Sequence, residues 1–332
     1  LLNDRKKRWL FLGTTAGVLV LSLLAFAFKL VAVKMLPFDN KNEFQVVIDM
    51  PEGTTLERTA AVAAELSQYL ADQDEVISYQ AYAGTASPIT FNGLVRHYDI
   101  RSGSHQADIQ VNLTHKDSRR EQSHDLAKSY RPGLQAIAER YGANVKVVEV
   151  PPGPPVLSTL VAEIYGDDYD GQIAIAEQVS ELMRNTPDVV DVDWYVEEPQ
   201  RKITFAVDRE KAMKHGVAPA QIVENIQLAL SEQAVSTLYD PKSVQPVGIV
   251  LNIPDEQKSG AENLRNIPVV SQNGKVYPAG DLAELQEVRQ DVNIYRKNQK
   301  RVAYVVADMA GALESPVYAI LDMSKKLGDI EL

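Results

Sequence analysis

Hydrophobic positions follow two regimes along this chain. From Trp9 to Phe28 (WLFLGTTAGVLVLSLLAFAF) twenty residues pass without a charge, about the length a helix needs to cross ~30 Å of hydrocarbon. The apolar region of a cleaved signal peptide is shorter, ~7–15 residues, so the run predicts a retained membrane span. Beyond it, apolar residues come in short periodic runs. Phe44 to Met50 (FQVVIDM) alternates as a strand does. Pro51-Glu52-Gly53 predicts a turn, and Thr54-x-x-Glu57 a capping box at a helix start. Leu56, Thr59, Ala63, Leu66 and Leu70 then recur at helical spacing. Further strands are predicted over Glu75 to Tyr82, Ala107 to Leu113 and Asn144 to Val150. A helix is predicted over Arg119 to Tyr141, with Arg131-Pro132-Gly133 expected to bend or interrupt it. The order β-α-β-β-α-β is that of a ferredoxin-like domain.

Pro151-Pro152-Gly153-Pro154-Pro155 cannot join a ladder and predicts a boundary. The pattern then restarts. Strands are predicted over Thr159 to Tyr165, Asp188 to Val196 and Lys202 to Val207. Between the first two lies a helix over Asp170 to Asn185, with Ile173, Ala176, Val179 and Met183 on one face. A short helix, Arg209 to His215, is stopped by Gly216, and Pro219 opens another. Turn-separated strands follow to residue 288, the pattern of an insertion. Arg301 to Asp308 is read as the missing last strand and Glu314 to Leu327 as a closing helix. The expected fold class is α+β, two ferredoxin-like modules preceded by one transmembrane helix. Its boundaries are a span with its basic flank at 1–34, a first module at 35–155, and a second at 156–207 and 289–312. The second module wraps a small α+β insertion at 208–288, and a helix at 313–332 leads back toward the membrane.

Charge orients this arrangement. Arg5, Lys6, Lys7, Arg8, Lys29 and Lys34 stand against only Asp4 in the first 34 residues, yet the whole chain carries a net charge of −11. Basic residues before the span place that end in the cytoplasm, so the acidic body lies across the membrane. An acidic body repels phosphate backbones, which disfavours nucleic acid as a partner, and none is expected. There is no cysteine, so disulfides, thiolate metal sites and cysteine nucleophiles are excluded. Leu1 at the start, and an end soon after Lys325-Lys326, read as a piece of a longer membrane protein. No catalytic constellation is present. His97, His105, His115, His124 and His215 are scattered, with no His-Glu-x-x-His pair, Gly-x-Ser-x-Gly elbow or phosphate loop. They are read as exposed on an acidic surface, and no enzyme activity or cofactor is expected. Asp167-Asp168-x-Asp170 reads as an acidic helix start.

Several runs carry a family likeness. MLPFDNKNEFQVVIDMPEGTTLE, ITFAVDREKAMKHGVAPAQIVENIQLAL, NGKVYPAGDLAELQ and the PPGPP run, in that order, resemble the second large periplasmic loop of a resistance–nodulation–division (RND) efflux permease. The resemblance implies two porter subdomains and a docking subdomain in the insertion. It also implies an inner-membrane homotrimer whose bulk is periplasmic and which works with a periplasmic adaptor and an outer-membrane channel. Proton flow would drive export through charged residues in other spans. A single-span sensor or an anchored adaptor is the competing class.

Gly84 to Ser104 (GTASPITFNGLVRHYDIRSGS) is the most informative segment. It is long for a hairpin, and long ordered loops carry function. In the resemblance it occupies the loop lining the substrate path, and Phe91, Leu94 and Tyr98 offer adaptable apolar surface for amphiphilic organic compounds. Met50, ending the first strand, is grouped with them. In the heavy-metal branch of the family a methionine at a similar place binds soft metal with two others, and those partners are missing near His105–Gln106 and Val156. No metal site is therefore expected, and His97, Asp99 and His105 keep a metal-cation reading open.

Overall fold

The computed structural model describes residues 4–28, 30–31, 38–150, 156–231, 233–258, 260–312 and 314–328. Lys29, the stretch 32–37 with Met35, and the PPGPP boundary at 151–155 lie outside the described residues. The first helix, α1 (Arg5–Ala27), is long and apolar enough over Arg5–Ala25 to cross a membrane, and none of that window is buried in the protein.

The first module runs β1 (Glu43–Asp49), α2 (Leu56–Ala71), β2 (Val76–Ala83), α3 (Phe91–Arg96), β3 (Gln106–Leu113), α4 (Ser123–Tyr141) and β4 (Asn144–Val148). Its sheet has the order β2-β3-β1-β4, antiparallel throughout. Alternation sends Phe44, Val46 and Ile48 of β1 and Ile109 and Val111 of β3 onto the helix side. There they meet Leu66 and Leu70 of α2 and Leu134 of α4, all fully buried, at about 1.5–3 kcal/mol for each large side chain. The helices approach closely because Gly133 lacks a side chain: a Cβ there would lie 2.2 Å from the Tyr69 ring.

Local expectations fail here in three places. The cap of α2 is Thr55, without a side-chain bond, and Thr54 Oγ1 instead donates to the Pro51 carbonyl at 2.6 Å, so the capping box does not form. Helix α4 begins at Ser123 rather than Arg119. The buried Arg119 spends its guanidinium on the carbonyls of Thr114 (3.0 Å), Glu121 (2.7 Å) and Lys41 (2.5 Å), stitching the preceding turn together. Pro132 does not interrupt α4, which runs unbroken with Arg131 and Leu134 both buried beside it.

The second module begins with β5 (Leu160–Tyr165), α5 (Tyr169–Arg184) and β6 (Val189–Trp194). Asp168 caps α5, its carboxylate accepting from Gly171 N at 2.7 Å, as an acidic helix start should. The chain then leaves to form a separate unit, Pro199–Val292. That unit holds β7 (Arg201–Val207), α6 (Arg209–Lys214), α7 (Pro219–Leu230) and the hairpin β8 (Ala234–Leu238) with β9 (Val247–Val250). It continues through α8 (Asp255–Lys258), α9 (Ala261–Arg265), β10 (Pro268–Val270), β11 (Val276–Pro278), α10 (Ala279–Leu282) and β12 (Ala283–Arg289). β7 pairs antiparallel with β12, and a small core of Ala212, Ile222, Ile267, Val269 and Leu282 fills it. Gly216, at φ +70, ends the α6 turn in the left-handed region where glycine is favoured.

The chain returns through β13 (Arg296–Lys297), β14 (Lys300–Met309) and α11 (Pro316–Leu327). β14 lies between β5 and β6, pairing antiparallel with both. This corrects the strand assignment. Lys202 to Val207 is not the third strand of the second module but half of the β7–β12 pair. The central place belongs to Arg301 to Asp308, which was expected as the last strand. β14 earns that place by being apolar on both faces, with Val302, Ala303, Val305, Val306 and Ala307 all buried. Its alternate residues Ala303, Val305 and Ala307 pack with Ala176, Val179 and Met183 of α5 and Ala319 and Met323 of α11.

Candidate functional site

The face of the first module's sheet away from its helices is largely polar. In β1, β3 and β4 the residues alternating with the core are Asp49, Asp108 and Lys146, and Lys146 stands opposite Val47 with Asp108 on its other side. In the second module, Asp191, Asp193 and Asp308 fall out of the apolar pattern of β6 and β14. These groups meet in a charged seam between the two modules.

Ion pairs bridge it. Lys146 Nζ lies 2.7 Å from Asp49 and also pairs with Asp193 across the seam. Arg131 of α4 pairs with Asp191, whose other oxygen accepts the backbone N–H of Val147 at 3.1 Å and so covers the edge of β4. Arg96 of α3 places Nη1 2.6 Å and Nη2 3.4 Å from the carboxylate oxygens of Asp308. Asp308 also accepts from Ser158 Oγ (2.9 Å), Thr159 N (3.0 Å) and Thr159 Oγ1 (2.8 Å). Burial alone would raise the Asp308 pKa, but the Arg96 charge and these bonds outweigh it and hold the carboxyl well below the usual range. Burial likewise opposes ionisation of Asp49 and Lys146, but the charges of Lys146 and Arg101 hold Asp49 below the usual carboxylate range, and those of Asp193 and Asp49 raise Lys146.

At the far end, the His124 ring joins two carboxylates, with Nδ1 2.6 Å from Glu149 and Nε2 3.0 Å from Glu314. Both oxygens only accept, so the ring satisfies both when it carries two protons. Desolvation lowers the His124 pKa, but the bonds and charges of Glu149 and Glu314 outweigh it and raise the value above 6.5. Lys128 Nζ, 2.6 Å from Glu314, and the Phe38 ring, stacked 4.7 Å away, complete the cluster. His124 is thus largely enclosed, contrary to the expectation of five exposed histidines. His97 and His115 are exposed, and His105 and His215 half-buried.

The 84–104 segment folds over the polar face of the first sheet rather than forming an open loop. Ser87 N donates to Asp108 at 3.0 Å, and Arg101 reaches Asp49 at 2.7 Å and the Ile48 carbonyl at 2.9 Å. Within it, α3 is capped by Thr90 Oγ1, accepting from Gly93 N at 3.1 Å, and closed by His97 at φ 59. Asn92, Gly93 and Arg96 point inward. Phe91 and Leu94, three residues apart, face solvent at 51% and 58% exposure.

The four expected substrate residues therefore separate. Phe91 and Leu94 share one exposed face. Tyr98 is half-buried with Arg101 over its ring at 5.7 Å, turned toward the seam. Met50 is buried in the apolar core of the first module. Alternation explains Met50: it continues the Phe44, Val46, Ile48 series. Among the described residues no group of three or more His, Asp or Glu side chains is arranged to hold a metal ion. The seam itself escaped the sequence reading. Its signal was one charged residue inside each of several apolar strands: Lys146 in NVKVV, Asp108 in ADIQV and Asp308 in VVADM.

Comparison with known proteins places this geometry. The chain is 22% identical over 312 residues to the nickel and cobalt resistance protein CnrA of Cupriavidus metallidurans, covering 91% of this chain and 28% of that protein. It is 22% identical over 306 residues to the swarming motility protein SwrC of Bacillus subtilis, covering 91% and 27%. The chain thus spans just over a quarter of these relatives. A crystal structure of a heavy metal efflux pump shares the fold, with a TM-score of 0.73 and 17% identity over 98% of this chain and 32% of that one. The profile of the AcrB/AcrD/AcrF family matches residues 5–327. A match over nearly the whole chain, on a span followed by two ferredoxin-like modules, makes this chain a member of the AcrB/AcrD/AcrF family, the RND efflux permeases.

Proposed function

We propose that this chain is the porter and docking part of a proton-driven exporter, with residues 35–155 as the first porter subdomain. The second porter subdomain is β5, α5, β6, β14 and α11, and Pro199–Val292 is the docking subdomain. In this reading α1 anchors the body to the inner membrane, with Arg5 to Arg8 in the cytoplasm and the acidic modules in the periplasm. The permease is a homotrimer that hands cargo through an adaptor to an outer-membrane channel. The protons are relayed in spans outside these residues.

The cargo we favour is an amphiphilic organic compound. The observation behind it is the exposed apolar face of α3, Phe91 and Leu94, held over a buried polar seam. Such a face grips varied apolar molecules without fixed polar partners. The name of CnrA supports a second reading, export of a transition-metal cation. Growth of cells carrying the full-length permease against organic toxicants and against nickel and cobalt salts separates the two. Phe91→Ala with Leu94→Ala should change tolerance to some organic compounds while protein level holds. Protection against metals alone, unaffected by both substitutions, would replace the organic reading with the second.

A further inference from the structure

α3 is six residues long, too short to hold its own conformation in water. Its N-terminal end is fixed by Thr90 and its C-terminal end by His97, both on its own segment. Arg96 ties it to the other module. That arginine is 4% exposed, and its partner sits on the central strand β14. Asp308 is itself immobilised by Ser158 and Thr159 at the entry to β5, so the carboxylate belongs rigidly to the second module. A two-pronged guanidinium–carboxylate pair fixes angle as well as distance. When the second module shifts, Arg96 must follow Asp308 or lose a buried partner.

We infer that Arg96 and Asp308 are a positioning pair for α3, through which the second module sets where Phe91 and Leu94 stand. Neither touches cargo. The inference rests on the proposal that the exposed face of α3 meets cargo, and it names what controls that face. Displacement of the second module is transmitted to Phe91 and Leu94 across one ion pair, while Arg101, on the same segment, keeps the rest of it on the first sheet.

The test is a nitroxide at Leu94→Cys in the full-length permease, this chain having no cysteine of its own. With the pair intact the label should move as part of a packed element. Asp308→Asn should raise the mobile fraction of its spectrum several-fold, and Arg96→Lys, which keeps the charge but loses the fork, should do so to a smaller degree. Exchanging the pair, Arg96→Asp with Asp308→Arg, should restore part of the order. Should Asp308→Asn fail to accumulate in the membrane, the Arg96→Lys spectrum decides alone. Spectra unchanged in the variants that accumulate would overturn the inference. Export is measured in the same variants without the label. A mobile label with export of every compound unchanged would leave the positioning pair standing and remove α3 from the cargo path.

Discussion

The two sides of the first module's sheet are built on opposite chemistry. Toward the helices, Leu66, Leu70, Ile109 and Leu134 fill a dry core whose strength scales with area and tolerates many side chains. Toward the second module, Lys146, flanked by Asp49, pairs with Asp193, and Arg96 and Arg131 reach Asp308 and Asp191. Charged pairs of this kind add little net stability over apolar residues of the same shape, but breaking one is costly. The contrast teaches a division of labour. The apolar side makes each module fold, and the charged side fixes one particular arrangement of two modules.

The comparison breaks most sharply at Asp308. Asp308→Ala strands the Arg96 guanidinium in a buried site and should cost about 3–5 kcal/mol, read as a lowered unfolding midpoint. On the core side, Leu66→Ala should cost about 2–5 kcal/mol by leaving a cavity. The two differ in kind: replacing Asp308 and Arg96 together by leucine and methionine should recover the part of the first loss due to the stranded charge, whereas no second substitution at the seam should repair Leu66→Ala. Gly133→Ala drives a methyl group into the Tyr69 ring and should cost about 1–3 kcal/mol, again by unfolding.

Smaller effects sharpen the picture. The raised His124 pKa means its contribution is whole below its ordinary value of 6.5 and fades as pH climbs through the raised value. Stability measured across that window should fall with rising pH, and His124→Gln should flatten the slope. Phe91→Ala and Leu94→Ala, on the exposed side of α3, should shift stability by no more than about 0.5 kcal/mol. A larger loss in an unfolding titration would mean that this face is packed.

Much of the framework is legible from periodicity. The span, the helix–strand alternation and the βαββαβ order of the first module follow from apolar spacing, because burial on one face imposes that spacing on each element. Pairing between distant strands is not. Nothing in ITFAVD announces β12 as its partner, and nothing in RVAYVVAD announces a place between β5 and β6. Both depend on which elements compete for the same edge once the chain has collapsed.

The site divides along the same line. Sequence alone singled out the 84–104 segment, and within it Phe91 and Leu94, because apolar residues in a polar loop need a reason. It grouped Met50 and Tyr98 with them, and the fold keeps Phe91 and Leu94 on one face of α3 while sending Met50 into the core and Tyr98 toward the seam. Sequence by itself determined the membrane helix, the acidic body and the two modules, since these are sums over composition and local spacing. Only the tertiary structure decided that Arg96 meets Asp308 across 212 residues, and that Asp49 and Asp193 meet at the buried Lys146. Coulomb attraction falls with distance and rises with burial, and both are properties of the folded chain rather than of its order.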